Sequence, residues 1–343
     1  MNATLRVALV GAGIADRHAA AWRWLPALFD VPVLCSLDDA RGRALCDRHR
    51  IAEYTQDVDS LFERHDIDIV DICTPPDSHF ALCERALAAG KHVVCEKPLF
   101  GSLAEVDRMA SLVQRSGRLL MPIFQYRFAP GIARMKAAVD AGLCGALRLA
   151  TSETSWLRGD DYYAAPWRGT FAGEGGGAVL GHGTHAHDLL SFVAGPLVSI
   201  SGQVATLVND IETEDTATGF GAVADGGLVS MAVTLGSIRE ITRLRFSFEH
   251  VSAESSVEPY EPGNEPWTFD WASAELAAEA DALWASMPET STGFSGQLAA
   301  FHHAVTTDGD LPVTLADARR ALELVTGWYE SARTGRPVEL SGR

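Results

Sequence analysis

The sequence lacks the features expected of a membrane-spanning, disulfide-stabilised or nucleic-acid-binding protein. No apolar run approaches the roughly 20 residues that a helix needs to cross a bilayer. The six cysteines lie in apolar segments without any CxxC spacing, which predicts reduced thiols and no zinc site built from them. The formal net charge is −17 and the arginines are scattered, so we expect no nucleic-acid-binding surface.

The amino-terminal segment MNATLRVALVGAG also lacks a basic start and the cleavable apolar stretch of a signal peptide. It passes at once into a short apolar run followed by glycines. We therefore expect a cytoplasmic protein. No internal repeat or low-complexity linker is present, and a length of 343 residues predicts two domains of ordinary size.

The rhythm of apolar residues changes near residue 122. Residues 1–122 alternate short β-branched runs, such as LRVALVG and KHVVCEKPL, with helical segments, as in a parallel sheet wrapped by helices. Residues 123–343 contain longer alternating segments, and glycine pairs between the later ones predict antiparallel hairpins. The predicted fold is α/β, with a doubly wound, Rossmann-type parallel sheet in residues 1–122. An α+β domain with a large, open and mostly antiparallel sheet is predicted for residues 123–343.

The segment VALVGAGIADRH predicts a turn that binds the pyrophosphate of a dinucleotide. Gly11 allows a tight turn, and Gly13 lets the backbone approach phosphates whose charge the following helix amino terminus favours. The usual spacing places a third small residue at position 16, which is an aspartate here, so Ala15, after Ile14, takes the close-packing role. A tight turn without a ligand is the alternative.

A carboxylate at the end of the second strand normally binds the adenosine ribose and repels a 2′-phosphate. The equivalent positions here are Ser36, Leu37 and Asp38, and no arginine fork for a phosphate stands beside them. This pattern favours NAD as the cofactor, with NADP possible.

Several segments in the same order resemble the Gfo/Idh/MocA family of glucose–fructose oxidoreductases and inositol dehydrogenases. They are TPPDSH, AGKHVVCEKPL, FQYRFAP, GEGGGAVLGHGTHAHD and the closing YESARTGRPVEL, so the resemblance extends over essentially the whole chain. It implies a Rossmann domain and a second domain whose open sheet often mediates oligomerisation, hence a homodimer or homotetramer. It also implies a nicotinamide cofactor and a small carbohydrate substrate, usually a sugar, polyol or related carbinol.

Glu96, Lys97 and Pro98 match the family's Glu-Lys-Pro motif, and the resemblance implies that Lys97 lies near the nicotinamide and the reacting hydroxyl. Hydride leaves an alcohol carbon only as its hydroxyl loses a proton, so the site needs a base and a group that tolerates an alkoxide. A partly desolvated lysine can supply the positive charge, or the base if its pKa is lowered. A surface lysine at a strand end is the alternative.

Further candidates stand at the carboxyl ends of predicted strands, where the ligands of open α/β sheets collect. The candidates for cofactor binding are Thr74, Pro75, Pro76, His79 and Gln125, together with Glu96 and Lys97. Tyr126 and Arg127 follow the same logic and are assigned to the substrate. An interdomain salt bridge is the alternative for Arg127.

The segment GHGTHAHD, residues 181–188, matches the family pattern with one departure. Three glycines precede it, His185 matches the family histidine, and Asp188 matches the last aspartate. Gly181 stands where the family has an aspartate that helps to bind or polarise the substrate hydroxyls. We therefore expect substrate recognition to differ most from that of relatives at Gly181.

Helical spacing places His182, His185 and Asp188 on one broad face and turns His187 away from it. These three could ligate a metal, but zinc-binding helices usually pair histidines four residues apart, so no metal is predicted. His185 is expected to be the general acid/base, because neutral imidazole titrates near the working pH. His182 could occupy the space at Gly181, Asp188 could orient His185 or pair locally, and His187 is expected to pack or to make an interdomain contact.

The segment WLRGDDYYAAPWRGT combines aromatic faces with charges, a pattern that suits the C–H faces and hydroxyls of a carbohydrate ring. The substrate-binding candidates are Trp156, Arg158, Tyr163, Trp167 and Arg168, with Lys97, Tyr126, Arg127, His182 and His185. The two arginines could also bind a carboxylate or sulfonate on the sugar. An ordered loop whose aromatic side chains anchor it to the core is the alternative.

The sequence therefore predicts an NAD(P)-dependent dehydrogenase that acts on a secondary hydroxyl of a sugar, glycoside or cyclic polyol. Two alternatives remain open. The first is NAD-dependent glycoside cleavage by transient oxidation and elimination, which sugar release without net cofactor reduction would identify. The second is a non-catalytic nucleotide-binding sensor, which would bind cofactor tightly without acting on any sugar.

Overall fold

The computed structural model describes residues 4–342. Met1 to Ala3, the first residues of the segment predicted to lack a signal peptide, and Arg343 lie outside the described residues. The chain forms two compact units: residues 4–125 with 291–318, and residues 126–290 with 319–342. This division differs from the single boundary predicted at residue 122, because a late segment packs with the first unit. Gln297 from that segment donates to the Pro122 carbonyl (2.7 Å) and accepts the Phe124 N–H (3.1 Å).

The secondary-structure elements alternate through the first unit and become longer in the second. The strands are β1 (Leu5–Val10), β2 (Phe29–Cys35), β3 (Glu53–Thr55), β4 (Ile69–Ile72), β5 (His92–Cys95), β6 (Leu120–Pro122), β7 (Leu147–Leu157), β8 (Leu197–Ala205), β9 (Thr216–Val223), β10 (Leu228–Thr234), β11 (Gly236–Phe248), β12 (Val251–Glu254), β13 (Thr268–Trp271) and β14 (Val338–Glu339). The helices are α1 (Ala15–Arg23), α2 (Asp39–His49), α3 (Asp59–Phe62), α4 (His79–Ala88), α5 (Leu103–Ser116), α6 (Pro130–Asp140), α7 (Asp160–Tyr163), α8 (Phe171–Glu174), α9 (Ala178–Gly181), α10 (Thr184–Ala194), α11 (Ala274–Ala285), α12 (Gly293–Thr307) and α13 (Leu315–Thr334).

The first unit is built on a six-stranded parallel sheet with the strand order β3-β2-β1-β4-β5-β6. Its central strands are apolar and buried almost throughout, as a sheet covered on both faces requires. The order reverses between β1 and β4, which is where open α/β sheets bind their ligands, at the carboxyl ends of the strands. The predicted doubly wound Rossmann sheet is confirmed.

The second unit is built on an eight-stranded sheet with the order β13-β12-β11-β7-β10-β9-β8-β14. Only the β7–β10 pair is parallel among its described strands, and the other pairs are antiparallel. Burial alternates along β9 and β10, so one face of the sheet packs on the core while the other is open. The large, open and mostly antiparallel sheet is confirmed.

The ends of two elements in the first unit have local features. The helix α1 ends at Arg23, because Pro26 cannot donate a helical hydrogen bond and restricts the residue before it. The strand β6 is short and is followed by a 3-10 turn, Gln125–Arg127. Within the described residues, no helix is long and apolar enough to span a membrane. All six cysteines are buried thiols.

His187 belongs to the core of the second unit. It lies on α10, whose residues from Thr184 to Leu190 are all buried, and its ring centroid is 5.4 Å from that of Trp328 on α13. A Cβ at Gly183 would lie 2.4 Å from His187 Nε2, so only glycine fits there. Packing, one of the two roles expected for His187, is what the structure shows.

The buried imidazole of His187 should make the folded protein sensitive to acid. Burial lowers its pKa to about 4, from 6.5 in the unfolded chain. The unfolded state therefore binds the proton first, so the stability from neutral His187 is present above about pH 6.5 and is lost as the pH falls toward 4. At about 1.4 kcal/mol per pKa unit, His187→Leu should remove on the order of 2–3 kcal/mol of acid destabilisation across this range.

The measurement is urea unfolding followed by circular dichroism at several pH values. The quantity compared between the variants and the unmodified protein is the change in the free energy of unfolding with pH, and not its absolute value. The exposed His65→Leu variant controls for the loss of a histidine. An identical pH dependence in His187→Leu and the unmodified protein would contradict the assignment.

Candidate active site

The glycine turn after β1 approaches the end of β4. Gly11 has a φ of +109°, and a Cβ there would lie 2.6 Å from the Cys73 carbonyl oxygen, so the fold itself requires glycine. A Cβ at Gly13 would meet no heavy atom of the described residues within 4 Å. The turn therefore leaves open space next to the backbone of Gly13, as the predicted approach of a pyrophosphate needs.

The amino terminus of α1 completes this turn. The helix begins at the buried Ala15, with Ile14 at the N-cap position and no side chain of the described residues capping it. Uncapped N–H groups at a helix start favour an anion. Asp16, the departure from the usual spacing, pairs through its carboxylate with His49 (2.7 Å) and Arg48 (2.9 Å), and the hydrogen bond from His49 lowers its pKa.

The residues predicted to meet the adenosine ribose form the turn between β2 and α2. Ser36 is buried and its Oγ accepts the Asp38 N–H at 3.2 Å. Asp38 caps α2 by accepting the Arg41 N–H at 3.0 Å, while Leu37 is 87% exposed. Asp38 thus places a half-exposed carboxylate at the end of β2.

His79 links the turn after β4 to the residues after Lys97. It is fully buried, with Nε2 2.9 Å from the Thr74 carbonyl oxygen and Nδ1 3.0 Å from that of Pro98. Pro75 and Pro76 lie in the turn that leads to His79. The candidates at the carboxyl ends of β4 and β5 are therefore held together through one imidazole.

Glu96 and Lys97 follow β5 directly. Glu96 is 6% exposed; its Oε2 accepts the Lys97 N–H at 2.9 Å and its Oε1 lies 2.9 Å from His18 Nε2. Lys97 is partly buried, which sets it apart from an ordinary surface lysine.

Gln125 provides a buried acceptor at the end of β6. Its side chain is 9% exposed, and its Oε1 has no hydrogen-bond partner within residues 4–342. A buried amide oxygen of this kind needs a donor from a ligand or water. Together with the positive-φ glycine turn and the uncapped start of α1, it fits a bound dinucleotide.

In the second unit, the glycines before the histidine segment are held by Glu214, which the sequence analysis did not identify. The Glu214 carboxylate accepts the N–H groups of Gly177 (3.0 Å) and Val179 (2.9 Å) and the Tyr329 hydroxyl (2.8 Å). A Cβ at Gly177 would lie 1.9 Å from the Glu214 carbonyl oxygen, so a glycine is required. Burial raises the pKa of Glu214, while the Val179 N–H and the other donors oppose that shift. The adjacent acids at 214 and 215, before an apolar strand, are the signal that could have revealed it.

His185 stacks on Tyr126 with ring centroids 4.4 Å apart and an angle of 28° between the planes. Asp188 pairs through both oxygens with Arg127, at 2.6 and 2.8 Å, and both side chains are less than 10% exposed. The roles left open for Asp188 were to orient His185 or to pair locally, and the structure adds a pair with a residue 61 positions away. The pair lies within the second unit, whereas an interdomain bridge was the alternative for Arg127.

His182 follows α9 and lies against aromatic rings. Its ring centroid is 5.8 Å from Trp156 and 5.4 Å from Tyr162. A Cβ at Gly181 would meet no heavy atom of the described residues within 4 Å. The position where the family has an aspartate therefore has room for a side chain that this protein does not have.

The predicted aromatic and arginine residues form one cluster around Tyr162. Arg158 lies 5.3 Å and Arg168 4.0 Å from the centre of the Tyr162 ring. Each guanidinium also has a carboxylate partner, Glu240 for Arg158 (2.9 Å) and Glu174 for Arg168 (3.2 Å). The Arg168 guanidinium also lies 4.3 Å from the centre of the Trp167 ring.

Two of the aromatic candidates pack in the core, Trp156 as a buried residue and Tyr163 as a partly buried one. Trp156 is 6% exposed and its indole N–H donates to Thr242 Oγ1 at 3.1 Å. Tyr163 packs against the buried cluster that contains Trp156 and Val233. The loop-anchoring role therefore applies to both. Tyr260 packs against the same buried cluster, and its hydroxyl lies 3.0 Å from an Arg158 nitrogen. The sequence did not predict this contact because Tyr260 is about 100 residues from Arg158.

Within residues 4–342, one group of three side chains could hold a metal ion: His18, Asp71 and Cys73, with ligand atoms within 4.8 Å of one another. This group lies in the first unit and shares no residue with GHGTHAHD. Its atoms already form hydrogen bonds, His18 Nδ1 to Asp71 Oδ2 at 2.8 Å and Trp22 Nε1 to the same oxygen at 2.7 Å.

Comparison with known proteins identifies both units. The family model described as an oxidoreductase family with an NAD-binding Rossmann fold matches residues 5–124, and the GFO/IDH/MocA C-terminal domain matches residues 132–254. D-apiose dehydrogenase from Paraburkholderia graminis is 28% identical over 343 residues, covering 97% of this chain and 89% of that protein. Levoglucosan dehydrogenase from Pseudarthrobacter phenanthrenivorans is 28% identical over 217 residues, 60% of this chain and 55% of that protein, so this match spans about half of the relative.

A solved structure has the same fold throughout. The WlbA dehydrogenase from Chromobacterium violaceum, in complex with NADH and UDP-GlcNAcA, superposes with a TM-score of 0.86 at 27% identity, covering 98% of this chain and 96% of that one. The order of motifs, the two sheets and the two matching family models agree. The chain belongs to the Gfo/Idh/MocA family of oxidoreductases, and its first unit is an NAD-binding Rossmann domain.

Proposed function

We propose that the protein is an NAD-dependent dehydrogenase acting on a secondary hydroxyl of a sugar, glycoside or cyclic polyol. The observation that carries this proposal is the partly buried Lys97 at the carboxyl end of β5, with its backbone held by Glu96. The names of two relatives, D-apiose dehydrogenase and levoglucosan dehydrogenase, support a sugar substrate.

Lys97 would stabilise the substrate oxygen during the reaction. NAD, when bound, would supply the acceptor for the hydride of the carbinol carbon. As that hydride leaves, negative charge develops on the hydroxyl oxygen, and an ammonium group can hold it or, when neutral, take its proton. Partial burial strengthens such an interaction because less water screens it.

His185, which lies in the second unit, would transfer the proton. Its stacking on Tyr126 fixes the plane of the imidazole, and therefore the direction in which its nitrogens point. Asp188, on the same helix, pairs through both carboxylate oxygens with Arg127. We assign Arg127 a supporting role through this buried pair, which would be costly to break.

The side chains around Tyr162 would bind the sugar. Arg158 and Arg168 both have carboxylate partners, so the cluster carries compensated charge. This balance favours a neutral sugar over an acidic one, because an acidic group would have to compete with Glu240 or Glu174. The space at Gly181 would admit a substituent that an aspartate in the same place would exclude.

The half-exposed carboxylate of Asp38 supports NAD over NADP. It lies at the end of β2, where a carboxylate accepts ribose hydroxyls and repels a 2′-phosphate. A cytoplasmic location is proposed from the cysteines, because all six are free thiols, as in a reducing compartment.

A cofactor-reduction screen over neutral and acidic sugars, with NAD and NADP, tests the function. We expect NADH to accumulate with a neutral sugar or polyol, and Lys97→Met to lower kcat by about 10³-fold or more while NAD affinity stays within about threefold. Lys136→Met, which removes a lysine paired with Asp140 on α6, is the matched control and should keep full activity. Normal turnover by Lys97→Met would refute the assignment.

His185→Asn tests the second proton-transfer group with the sugar found in that screen. The amide cannot act as a base, so kcat should fall by about 10²–10⁴-fold. NADH affinity, measured by fluorescence titration, should not change, because His185 lies outside the Rossmann domain. If kcat and its pH profile both stay unchanged, His185 does not carry the proton.

We also propose a homo-oligomer, a homodimer or homotetramer, formed through the open face of the large sheet. Phe220 on β9 and Leu228 on β10 are 64% and 58% exposed there, and Leu149, the neighbour of Leu228 on β7, is 42% exposed. Cross-strand apolar neighbours on an open sheet face favour burial against a second copy.

Light scattering during size-exclusion chromatography should therefore give two or four times the chain mass of 36.8 kDa. Phe220→Lys combined with Leu228→Lys should yield the single-chain mass, because two buried ammonium groups would oppose association. Trp24→Lys, at a 78% exposed position in the first unit, should leave the mass unchanged. A monomeric unmodified protein would contradict this proposal.

A further inference from the structure

A buried histidine outside the predicted site connects two parts of the first unit. His18 on α1 is 0% exposed, and both of its ring nitrogens face carboxylates. Nδ1 lies 2.8 Å from Asp71 Oδ2 and Nε2 lies 2.9 Å from Glu96 Oε1. One imidazole therefore bridges the buried ends of α1, β4 and β5.

The surroundings of His18 favour its charged form. Asp71 is 0% exposed and also accepts the Trp22 indole N–H at 2.7 Å, so its carboxylate has two strong donors. Burial alone would lower the pKa of His18, but the charges and hydrogen bonds of Asp71 and Cys73 together outweigh it, and the pKa is raised well above the usual value. The other groups that face the ring are the Cys73 thiol, Glu96 and the apolar ring of Phe294, 4.6 Å away.

The bridge reaches Lys97 through Glu96. Glu96 uses one carboxylate oxygen toward His18 and the other to accept the Lys97 N–H at 2.9 Å. A carboxylate held at both oxygens cannot rotate, so the backbone position of Lys97 depends on the position of His18. At the other end, His18 lies on the first turn of α1, next to the glycine turn that fits the pyrophosphate.

We propose that His18 is a positioning residue that couples the cofactor-binding turn to Lys97 by bridging Asp71 and Glu96. The contact to Asp71 fixes α1 against the sheet, and the contact to Glu96 fixes the start of the Glu-Lys-Pro segment. This inference rests on the proposed role of Lys97.

The two contacts of His18 can be separated by substitution. The amide nitrogen of asparagine takes approximately the place of Nδ1, and that of glutamine approximately the place of Nε2. His18→Asn can therefore keep the contact to Asp71 and lose that to Glu96, whereas His18→Gln can keep the contact to Glu96. His92→Asn, at the other end of β5, is the matched control: the Nδ1 of His92 accepts the Leu119 N–H, and its Nε2 lies 3.4 Å from an Arg118 nitrogen.

Two measurements need no sugar substrate. NADH affinity is obtained by fluorescence titration, and acylation of Lys97 is compared by mass spectrometry with that of Lys136 in the same chain as an internal reference. For His18→Asn we expect NADH affinity within about threefold of the unmodified protein and a Lys97-to-Lys136 acylation ratio changed by at least about threefold. His18→Gln and His92→Asn should retain a ratio close to that of the unmodified protein.

Kinetics with the sugar from the screen give a third readout. His18→Asn should lower kcat by about tenfold to a hundredfold, as expected when a reacting group is displaced slightly, with a smaller change in KM. His18→Gln should recover most of kcat. If the role of His18 were merely structural, kcat would fall alike in both variants and in proportion to their folded fraction. That outcome, or an unchanged acylation ratio in His18→Asn, overturns the proposal.

The unmodified protein provides a test that does not depend on whether the variants fold. Deuterium exchange at the histidine Cε1 position, followed by mass spectrometry, reports the protonation of each histidine. His18 should keep its proton to a higher pH than His187, because their surroundings shift the two pKa values in opposite directions. A His18 that loses its proton at a lower pH than His187 overturns the bridge between the two carboxylates. If no sugar is oxidised but the acylation ratio still changes, the proposed function fails and the positioning role stands.

Discussion

A carboxylate removed from water must be supplied with hydrogen-bond donors, and this constraint organises the structure beside the candidate functional residues of each unit. In the first unit, Asp71 receives donors from His18 and Trp22 on α1. In the second, Glu214 receives donors from the backbone of the glycine segment and from Tyr329 on α13. Each carboxylate thereby fixes the backbone beside a predicted functional residue, Lys97 through Glu96 in one case and the histidine segment in the other.

The sequence predicts the elements whose cause is local. Apolar strand runs, helix stops and glycine turns specify the Rossmann sheet, and the tight turn predicted at Gly11 agrees with the positive φ of that residue. The end of α1 at Arg23 also has a local cause, because Pro26 opposes continuation of the helix. The short elements β3 and α3 have too few residues for a periodic pattern to reveal them.

The relations that the sequence does not predict are those between distant residues. Gln297 binds the backbone on either side of Ile123 from a helix more than 170 residues later, and nothing near either segment indicates the contact. The same is true of Asp188 with Arg127, and of Glu214 with Gly177. Each distant partner is polar and buried, so the only trace in the sequence is a charged or amide side chain inside an otherwise apolar stretch.

The chemistry of a histidine in this protein follows from its neighbours and not from its motif. GHGTHAHD drew attention because it concentrates three imidazoles, yet the structure gives each a different setting. His185 stacks on Tyr126, His182 lies against aromatic rings, and His187 is packed where burial lowers its pKa to about 4. His18, which belongs to no histidine-rich segment, lies between the carboxylates of Asp71 and Glu96, and its pKa is raised. Burial alone favours the neutral ring and burial beside a carboxylate favours the charged one, so the pKa values of two buried histidines are shifted in opposite directions.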